Sequence, residues 1–223
     1  MSLLAHADDV LRGREWTSRA TQPWPALGRL SAFVVICGLT YGAAMGLFGG
    51  LGGDRAWQVF YSAVKVPILL VATFALSLPS FFVLNTLLGV RADFVQALRA
   101  LAAAQAGLTI ILVSLAPITL FWYASSADYP TAILFNALMF AIASTGAQIL
   151  LRREYRPLIA RNPRHRWLLR IWLLLYAFVG IQMGWILRPF LGAPDKPVQF
   201  FRGGTWENAY VIVVRMIWHL FVP

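Results

Sequence analysis

The chain has 223 residues, of which 59% are hydrophobic and 13% are charged, and its formal net charge is +10. Soluble domains carry about 25% charged residues, so this composition excludes an ordinary soluble domain. Several uncharged stretches reach the roughly 18 residues that are needed to cross a bilayer core. The alternating segments of a transmembrane barrel are absent. We therefore predict an all-α polytopic membrane protein with five transmembrane helices and amphipathic N- and C-terminal segments.

The predicted organisation has three parts. Residues 1–28 form a cytoplasmic amphipathic segment, residues 29–190 form the five-helix transmembrane domain, and residues 191–223 form an outer Pro- and Gly-rich loop with an interfacial helix. Apolar residues of the first segment recur at helical spacing, which indicates a helix on the membrane surface or, alternatively, one that docks onto a partner. The last apolar piece contains Arg215 and is short for a sixth crossing.

The five spans are predicted from the apolar runs and the turn residues between them. They lie at about residues 30–50, 67–90, 100–123, 130–151 and from Trp167 to about Leu187. Lys65 precedes the second span, and its long side chain is expected to reach the headgroups. Pro79 should kink the same span. Asp93 is predicted to cap the helix that leads into the third span, because Gln96 follows it at capping-box spacing.

Four glycines recur every fourth residue in the first span. They are Gly38, Gly42, Gly46 and Gly50. At this spacing they form a smooth groove on one helix face, which lets another helix backbone approach closely. The pattern predicts tight helix packing, either against another span of this chain or against a second subunit.

Positive charge is concentrated between the fourth and fifth spans. The predicted loop 152–166 contains one acid, Glu154, and six arginines, which are Arg152, Arg153, Arg156, Arg161, Arg164 and Arg166. Because basic residues favour the cytoplasmic side, this loop indicates a cytoplasmic N-terminus and contact with anionic lipid headgroups. No basic groove interleaved with aromatic residues is visible, so we expect no nucleic-acid partner.

Residues that could carry chemistry are sparse. The acids lie outside the apolar centres of the spans, and His6, His165 and His219 are far apart and lack metal-ligand spacing. Cys37 is the single cysteine and lies within the first span, so no internal disulfide can form. The sequence therefore predicts a protein that is not an enzyme and that has no metal site and no cofactor.

Two sets of polar residues remain as candidate functional residues. Every span from the second to the fifth carries at least one amide, and the set is Asn85, Gln105, Asn136, Gln148 and Gln182. Such amides either bond neighbouring helices or line a narrow polar path. The sequence Arg188-Pro189-Phe190 ends the fifth span. Its arginine is predicted to clamp the following loop or, alternatively, to bind a lipid phosphate.

The stretch from residue 173 to residue 202 resembles a family of uncharacterised bacterial multi-span membrane proteins with a YAFVG-Q-GW-LRPF-G-P pattern. The matching residues are Tyr176, Gly180, Gln182, Trp185, Arg188, Pro189, Phe190, Gly192 and Pro194. The resemblance extends to Ala63–Pro67 and Leu115–Pro117 and implies no established activity. Five spans with a cytoplasmic N-terminus are also distantly similar, in topology alone, to the Yip1 group of membrane-trafficking proteins.

Abundant packing signals without a catalytic set favour a non-enzymatic integral membrane subunit or scaffold. Its expected partners are membrane lipids and either other membrane protein subunits or further copies of the chain. Its expected location is a bacterial cytoplasmic (inner) membrane. The alternative function is a small channel or transporter component, in which the buried amides line a polar path.

Overall fold

A computed structural model describes residues 3–13, 23–53, 55–193, 196–202 and 211. These residues form helices and no strand. The helices are α1 (Leu3–Arg12), α2 (Pro23–Gly46), α3 (Arg55–Leu87), a 3-10 helix (Arg91–Asp93), α4 (Phe94–Ser125), α5 (Tyr129–Arg161) and α6 (Arg164–Ile186). Helices α2 to α6 are long and apolar enough to cross a membrane. The predicted all-α fold with five spans is therefore confirmed.

The centre of the bundle is α4, which packs against α2 and α5. It can approach both closely because its first half is rich in alanine, and Ala103, Ala106 and Leu112 are buried in the main core. Helix α3 packs mainly on α2, and α6 packs mainly on α3. A second apolar cluster around Phe81 and Trp172 joins α3, α4, α5 and α6. As a result α4 is enclosed by other helices and α6 lies at the edge.

Helix α3 begins at Arg55, twelve residues before the predicted second span, and residues 55–66 form its first three turns. Pro67 and Pro79 therefore both lie inside one helix. The expectation that Lys65 reaches the headgroups is wrong, since its side chain is 0% exposed.

Helix α5 extends to Arg161, so most of the predicted loop 152–166 is helical. Leu151, Tyr155 and Leu158 are buried on one side, while the arginines of this stretch are exposed. These buried residues recur at helical spacing and form an apolar face. Packing of that face stabilises the helix past the end of the predicted span. A turn at Asn162 and Pro163 leads into α6, and the Asn162 carboxamide oxygen accepts a hydrogen bond from the Arg164 backbone N–H at 3.0 Å.

The ends of α2 also differ from the prediction. The helix begins at Pro23, in the first turn, where proline is tolerated. It ends at Gly46, and Gly50 follows outside the helix with a positive φ of 89°. That backbone conformation suits glycine and belongs to the turn that follows the helix.

The N-terminal helix α1 packs onto the bundle itself. Its Val10 belongs to the main core, and the Leu11 carbonyl accepts a hydrogen bond from Nη2 of Arg153 at 2.9 Å. Gly13, at the end of the helix, would have a Cβ only 2.2 Å from Glu154 Oε1. Helix α1 therefore lies at the same end of the bundle as the turn between α5 and α6, which we call the basic end. The predicted C-terminal interfacial helix lies outside the described residues, of which only Val211 falls in that stretch.

At the opposite end, Asp128 caps α5. Its carboxylate accepts hydrogen bonds from the Thr131 hydroxyl and, at 2.9 Å, from the Thr131 backbone N–H. These bonds, with the hydroxyl contributing more, lower the pKa of the Asp128 carboxyl. A negative charge is thereby kept at the N-terminus of α5, where the helix dipole favours it.

Candidate functional site

Three polar side chains share one face of α3 near its start. Gln58, Ser62 and Lys65 are four and three residues apart, and this spacing stacks them along the helix. Each is at most 2% exposed. We call this set the polar face of α3. Because buried polar groups need hydrogen-bond partners, we expect acceptor groups to lie against this face.

Its partners are backbone carbonyl groups of the segment that follows α6. Lys65 Nζ donates to the Pro189 carbonyl oxygen at 2.7 Å. The Ser62 hydroxyl and, at 3.2 Å, the Gln58 amide both donate to the Phe190 carbonyl oxygen. These three bonds hold the segment against α3. The Arg188–Pro189 peptide bond within it is cis.

The glycines of α2 contact the same part of α3. A Cβ atom at Gly42 would lie 2.4 Å from the Ser62 carbonyl oxygen, and one at Gly46 would lie 2.5 Å from the Val59 Cα. Gly38 has Pro67 as its neighbour at 3.3 Å. From the sequence, these three glycines could contact either another span of this chain or a second subunit. In the structure their neighbour is another span of this chain, α3. Gly50 differs, because nothing lies within 4 Å of its Cβ position.

A cavity of about 530 Å³ lies beside this junction. Its lining comes from α5, from the end of α6 with the segment after it, and from single residues of α2 and α3. The lining residues are Met45, Leu69, Tyr129, Ile133, Asn136, Ala137, Phe140, Trp185, Arg188, Pro189, Phe190, Leu191 and Arg202. Most of them are apolar, and Ile133 and Ala137 are exposed, so the cavity opens beside α5. Its size is typical of small-molecule sites.

Two arginines bring positive charge to this cavity. The Arg188 guanidinium carbon lies 3.4 Å from the centroid of the Trp185 ring, over its face. The Arg202 backbone N–H donates to the Arg188 carbonyl oxygen at 3.3 Å. A second cavity of about 210 Å³ is lined by Arg55, Lys196 and Arg202 among others. Pro189 and Arg202 line both cavities, so an apolar cavity and a basic cavity adjoin.

The five amides of the predicted polar path do not share one surface. Gln105 donates to the Leu70 carbonyl of α3 at 2.6 Å, and Asn136 donates to the Tyr123 hydroxyl at 2.6 Å and accepts from the Tyr41 hydroxyl at 3.4 Å. Their amides therefore bond neighbouring helices. The polar path stays a prediction.

The remaining amides are placed differently. Asn85 is fully buried and donates to the Phe81 carbonyl within its own helix at 2.9 Å. Gln148 lines a small cavity of about 50 Å³ together with Gln105. Gln182 lies half-buried on α6.

A second polar cluster, which was not predicted, lies at the basic end. His165 is 0% exposed, and its Nε2 atom lies 3.1 Å from Asp93 Oδ2. Asp93 occupies the predicted N-cap position of α4, but its side chain forms no cap hydrogen bond with that helix. Tyr155 packs against the imidazole edge-to-face, with ring centroids 5.9 Å apart. This pair links the 3-10 helix to the start of α6.

The polar face of α3 was also missed, although a signal for it exists. Gln58, Ser62 and Lys65 follow helical spacing that continues directly into the apolar run of the span. The predicted start of the span at residue 67 left these three residues outside the helix. Their carbonyl partners lie more than 120 residues away and carry no sequence signal, because every residue has a carbonyl group.

In the parts of the chain that the structure describes, no three His, Cys, Asp or Glu side chains come together as a metal site. No family model, curated protein or solved structure matches the chain. The resemblance to the bacterial family with the LRPF pattern and the topological similarity to the Yip1 group therefore stay predictions.

Proposed function

We propose that this protein is a non-enzymatic integral membrane subunit or scaffold that packs with partner membrane proteins through α6. The observation that carries the proposal is how little of α6 its own bundle covers. Only 11% of its most apolar window is buried, compared with 56% for α4. A helix held along one side by α3 presents its other sides to neighbours in the bilayer.

One side of α6 carries exposed apolar residues. Leu174 and Ile181 are 73% and 55% exposed, and their spacing of seven residues places them on one side of the helix. Gly184 flanks this face, and nothing lies within 4 Å of its Cβ position. Helix association in membranes depends on close packing, for which a small residue on an open face is favourable. The expected partner is a transmembrane helix of another membrane protein or of a second copy.

The polar contacts favour this function over the channel alternative. Gln105 and Asn136 are engaged in hydrogen bonds between helices, as is the polar face of α3 with the segment after α6. Bonds of this kind stiffen a bundle, whereas a conducting path needs polar groups that face a continuous opening.

We place the protein in a bacterial cytoplasmic membrane with its N-terminus in the cytoplasm. Support comes from α1 and the exposed arginines of 152–166, which lie at the same end of the bundle. Basic residues at one end of a polytopic bundle indicate the cytoplasmic side and contact with anionic headgroups.

The test is purification in a gentle detergent from the native host, followed by native mass spectrometry. We expect a complex of fixed stoichiometry, containing other membrane proteins or further copies of the chain. Gly184→Leu should remove the partner, because a larger side chain separates the two helices. Gly28→Leu is the matched control, since Gly28 is also helical with nothing within 4 Å of its Cβ position, but it lies on α2.

Two results would contradict the proposal. One is a wild-type protein that remains a lone monomer across several mild detergents. The other is a complex that survives Gly184→Leu unchanged. Flux in proteoliposomes that disappears in Asn85, Gln105 or Gln182 variants would instead support the channel alternative.

A further inference from the structure

We propose that the cavity of about 530 Å³ beside α5 takes up one acyl chain of a phospholipid from the surrounding bilayer, whatever the headgroup of that lipid. This inference does not depend on the partner surface of α6. It rests on the depth of the cavity, on the partners of its polar lining groups and on the residues around its opening.

The cavity reaches into the apolar part of the bundle. Its α5 lining runs from Tyr129 to Phe140, which is about 16 Å along a helix that rises 1.5 Å per residue. Leu69 lines it fourteen residues into α3, and buried Met45 lines it from α2. The cavity therefore extends from the end opposite the basic end into the depth of the spans. A long, flexible apolar chain fits a space of this depth.

The amide and hydroxyl groups of the lining already have partners in the protein. The Asn136 side chain is hydrogen-bonded to α2 and α4, and the Tyr129 hydroxyl donates to the Leu191 carbonyl oxygen at 3.5 Å. Arg188 and Arg202 likewise interact with other residues of the chain. Because these groups are engaged, the contacts that the cavity offers to a ligand are mainly apolar. They favour a hydrocarbon chain and select no headgroup charge.

The opening of the cavity lies on a side of α5 that the bundle leaves uncovered. Ile133 and Ala137 are the exposed residues among the described lining, and they are one turn apart. Their neighbours in the chain, Leu134 and Leu138, are 70% and 53% exposed. Exposed apolar residues of a spanning helix contact lipid tails, which are as apolar as leucine. The molecules that meet the opening are therefore phospholipids.

Two other occupants fit this space less well. A buried water needs about two to four polar partners, and the polar groups of the lining are already engaged. A transmembrane helix is about 10–12 Å across, whereas the exposed part of the lining covers about one 5.4 Å turn of α5. An acyl chain is slender, and inside the cavity it supplies the dispersion contacts that an empty space would lack.

The test places the full chain in nanodiscs that contain a phosphatidylcholine with a photoactivatable diazirine in one acyl chain. After irradiation, digestion and mass spectrometry identify the residues that carry lipid. We expect labels at the cavity residues Met45 and Leu191, which are 4% and 5% exposed, and at the outward-facing Leu134 and Leu138. A phosphatidylglycerol with the same chain should give the same labels, because the site contacts the chain and not the headgroup.

Substitutions at the opening separate entry into the cavity from general contact with lipid. Ile133→Phe and Ala137→Phe each place an aromatic ring at the opening, and each should abolish labelling of the two cavity residues. Labelling of the two outward-facing leucines should persist. Ala141→Phe is the matched control, because it adds the same ring to exposed α5 one turn from Ala137, outside the cavity lining. Thermal unfolding checks that each variant is folded.

Three outcomes would overturn the proposal. Labels on the outward-facing leucines alone would mean that protein, from this chain or from a partner, fills the cavity. Unchanged labelling of the cavity residues in both folded opening variants would mean that the chain does not enter there. Labels from phosphatidylglycerol but not from phosphatidylcholine would mean that headgroup charge selects the lipid. A protein that is labelled as expected but forms no complex would contradict only the scaffold proposal.

Discussion

The Nζ atom of Lys65 lies 2.7 Å from the carbonyl oxygen of Pro189, although 124 residues separate them in the chain. Lys65 is fully buried, and its ammonium group also lies 4.8 Å from the centroid of the Phe200 ring. A buried charge persists only where the surrounding groups compensate for the lost water. The start of α3 and the segment after α6 are therefore mutually dependent.

Replacing Lys65 should weaken this junction. We expect Lys65→Met to lower the free energy of unfolding by about 1.5–3 kcal/mol, the range for a hydrogen bond to a charged group. Unfolding in mixed micelles would measure it, and limited proteolysis should cut the segment 188–202 faster. Lys196→Met is the control, because Lys196 is an exposed lysine of the same region. An unchanged unfolding midpoint would show that the bond contributes nothing to stability.

The contact between α2 and α3 should tolerate no side chain at Gly42. An added methyl group would meet the Ser62 carbonyl oxygen at 2.4 Å and the Ala63 Cα at 2.8 Å, both backbone atoms. We expect Gly42→Ala to cost about 1–3 kcal/mol of stability through overpacking.

Gly28→Ala provides the comparison for Gly42→Ala. Open space surrounds the Gly28 Cβ position, and alanine is about 1 kcal/mol better than glycine within a helix. The control should therefore match or exceed the wild-type stability when both variants are unfolded in the same micelles. Equal effects of the two substitutions would rule out a close contact at Gly42.

Gln105 should contribute to stability rather than to transport. Gln105→Leu removes the hydrogen bond to the Leu70 carbonyl, and bonds between membrane helices are worth about 0.6 kcal/mol and at most about 2 kcal/mol. The loss should be smaller than that in Gly42→Ala. Thr145→Val is the control, since the hydrogen bond of exposed Thr145 among the described residues is to the Ala141 carbonyl of its own helix. A variant with wild-type stability but altered ion flux would reverse this assignment.

At the basic end, Asp93 should stabilise the fold by pairing with buried His165. Asp93→Ala removes the described partner of the imidazole Nε2 atom, and an unsatisfied buried polar group costs about 1–3 kcal/mol. Asp8→Ala serves as the control, because it removes an acid from the exposed pair with Arg12, which contributes little. Thermal unfolding should separate the two variants, and equal midpoints would contradict the prediction.

The membrane topology, that is, which end of the bundle faces the cytoplasm, can be tested with two matched substitutions in a Cys37→Ala background. Ala127 and Ala92 are both exposed, and they lie in the α4–α5 turn and in the 3-10 helix, at opposite ends of the bundle. A membrane-impermeant maleimide applied to intact cells should label Ala127→Cys and should label Ala92→Cys only after lysis. The reverse pattern would place the N-terminus outside.

The sequence alone determined the fold class and the number of spans, because the length of an apolar run is a local property that the bilayer thickness limits. It also indicated a surface of small residues at Gly38, Gly42 and Gly46, and atoms of α3 lie within 3.3 Å of all three Cβ positions. The predicted positions of the helix ends were less accurate. The arginine-rich stretch after the fourth span is predicted to be a loop, whereas Leu151, Tyr155 and Leu158 continue the buried face of α5.

Only the tertiary structure decided which helix meets which. In a bilayer, a helix face that meets lipid and one that meets protein are both apolar, so hydropathy does not distinguish them. That is why the neighbour of the α2 glycines and the open face of α6 could not be assigned from the sequence. The bond from Lys65 to Pro189 and the pair of Asp93 and His165 depend on chain segments that come together only on folding. Neither contact leaves a periodic pattern, because each joins two single groups that are far apart in the sequence.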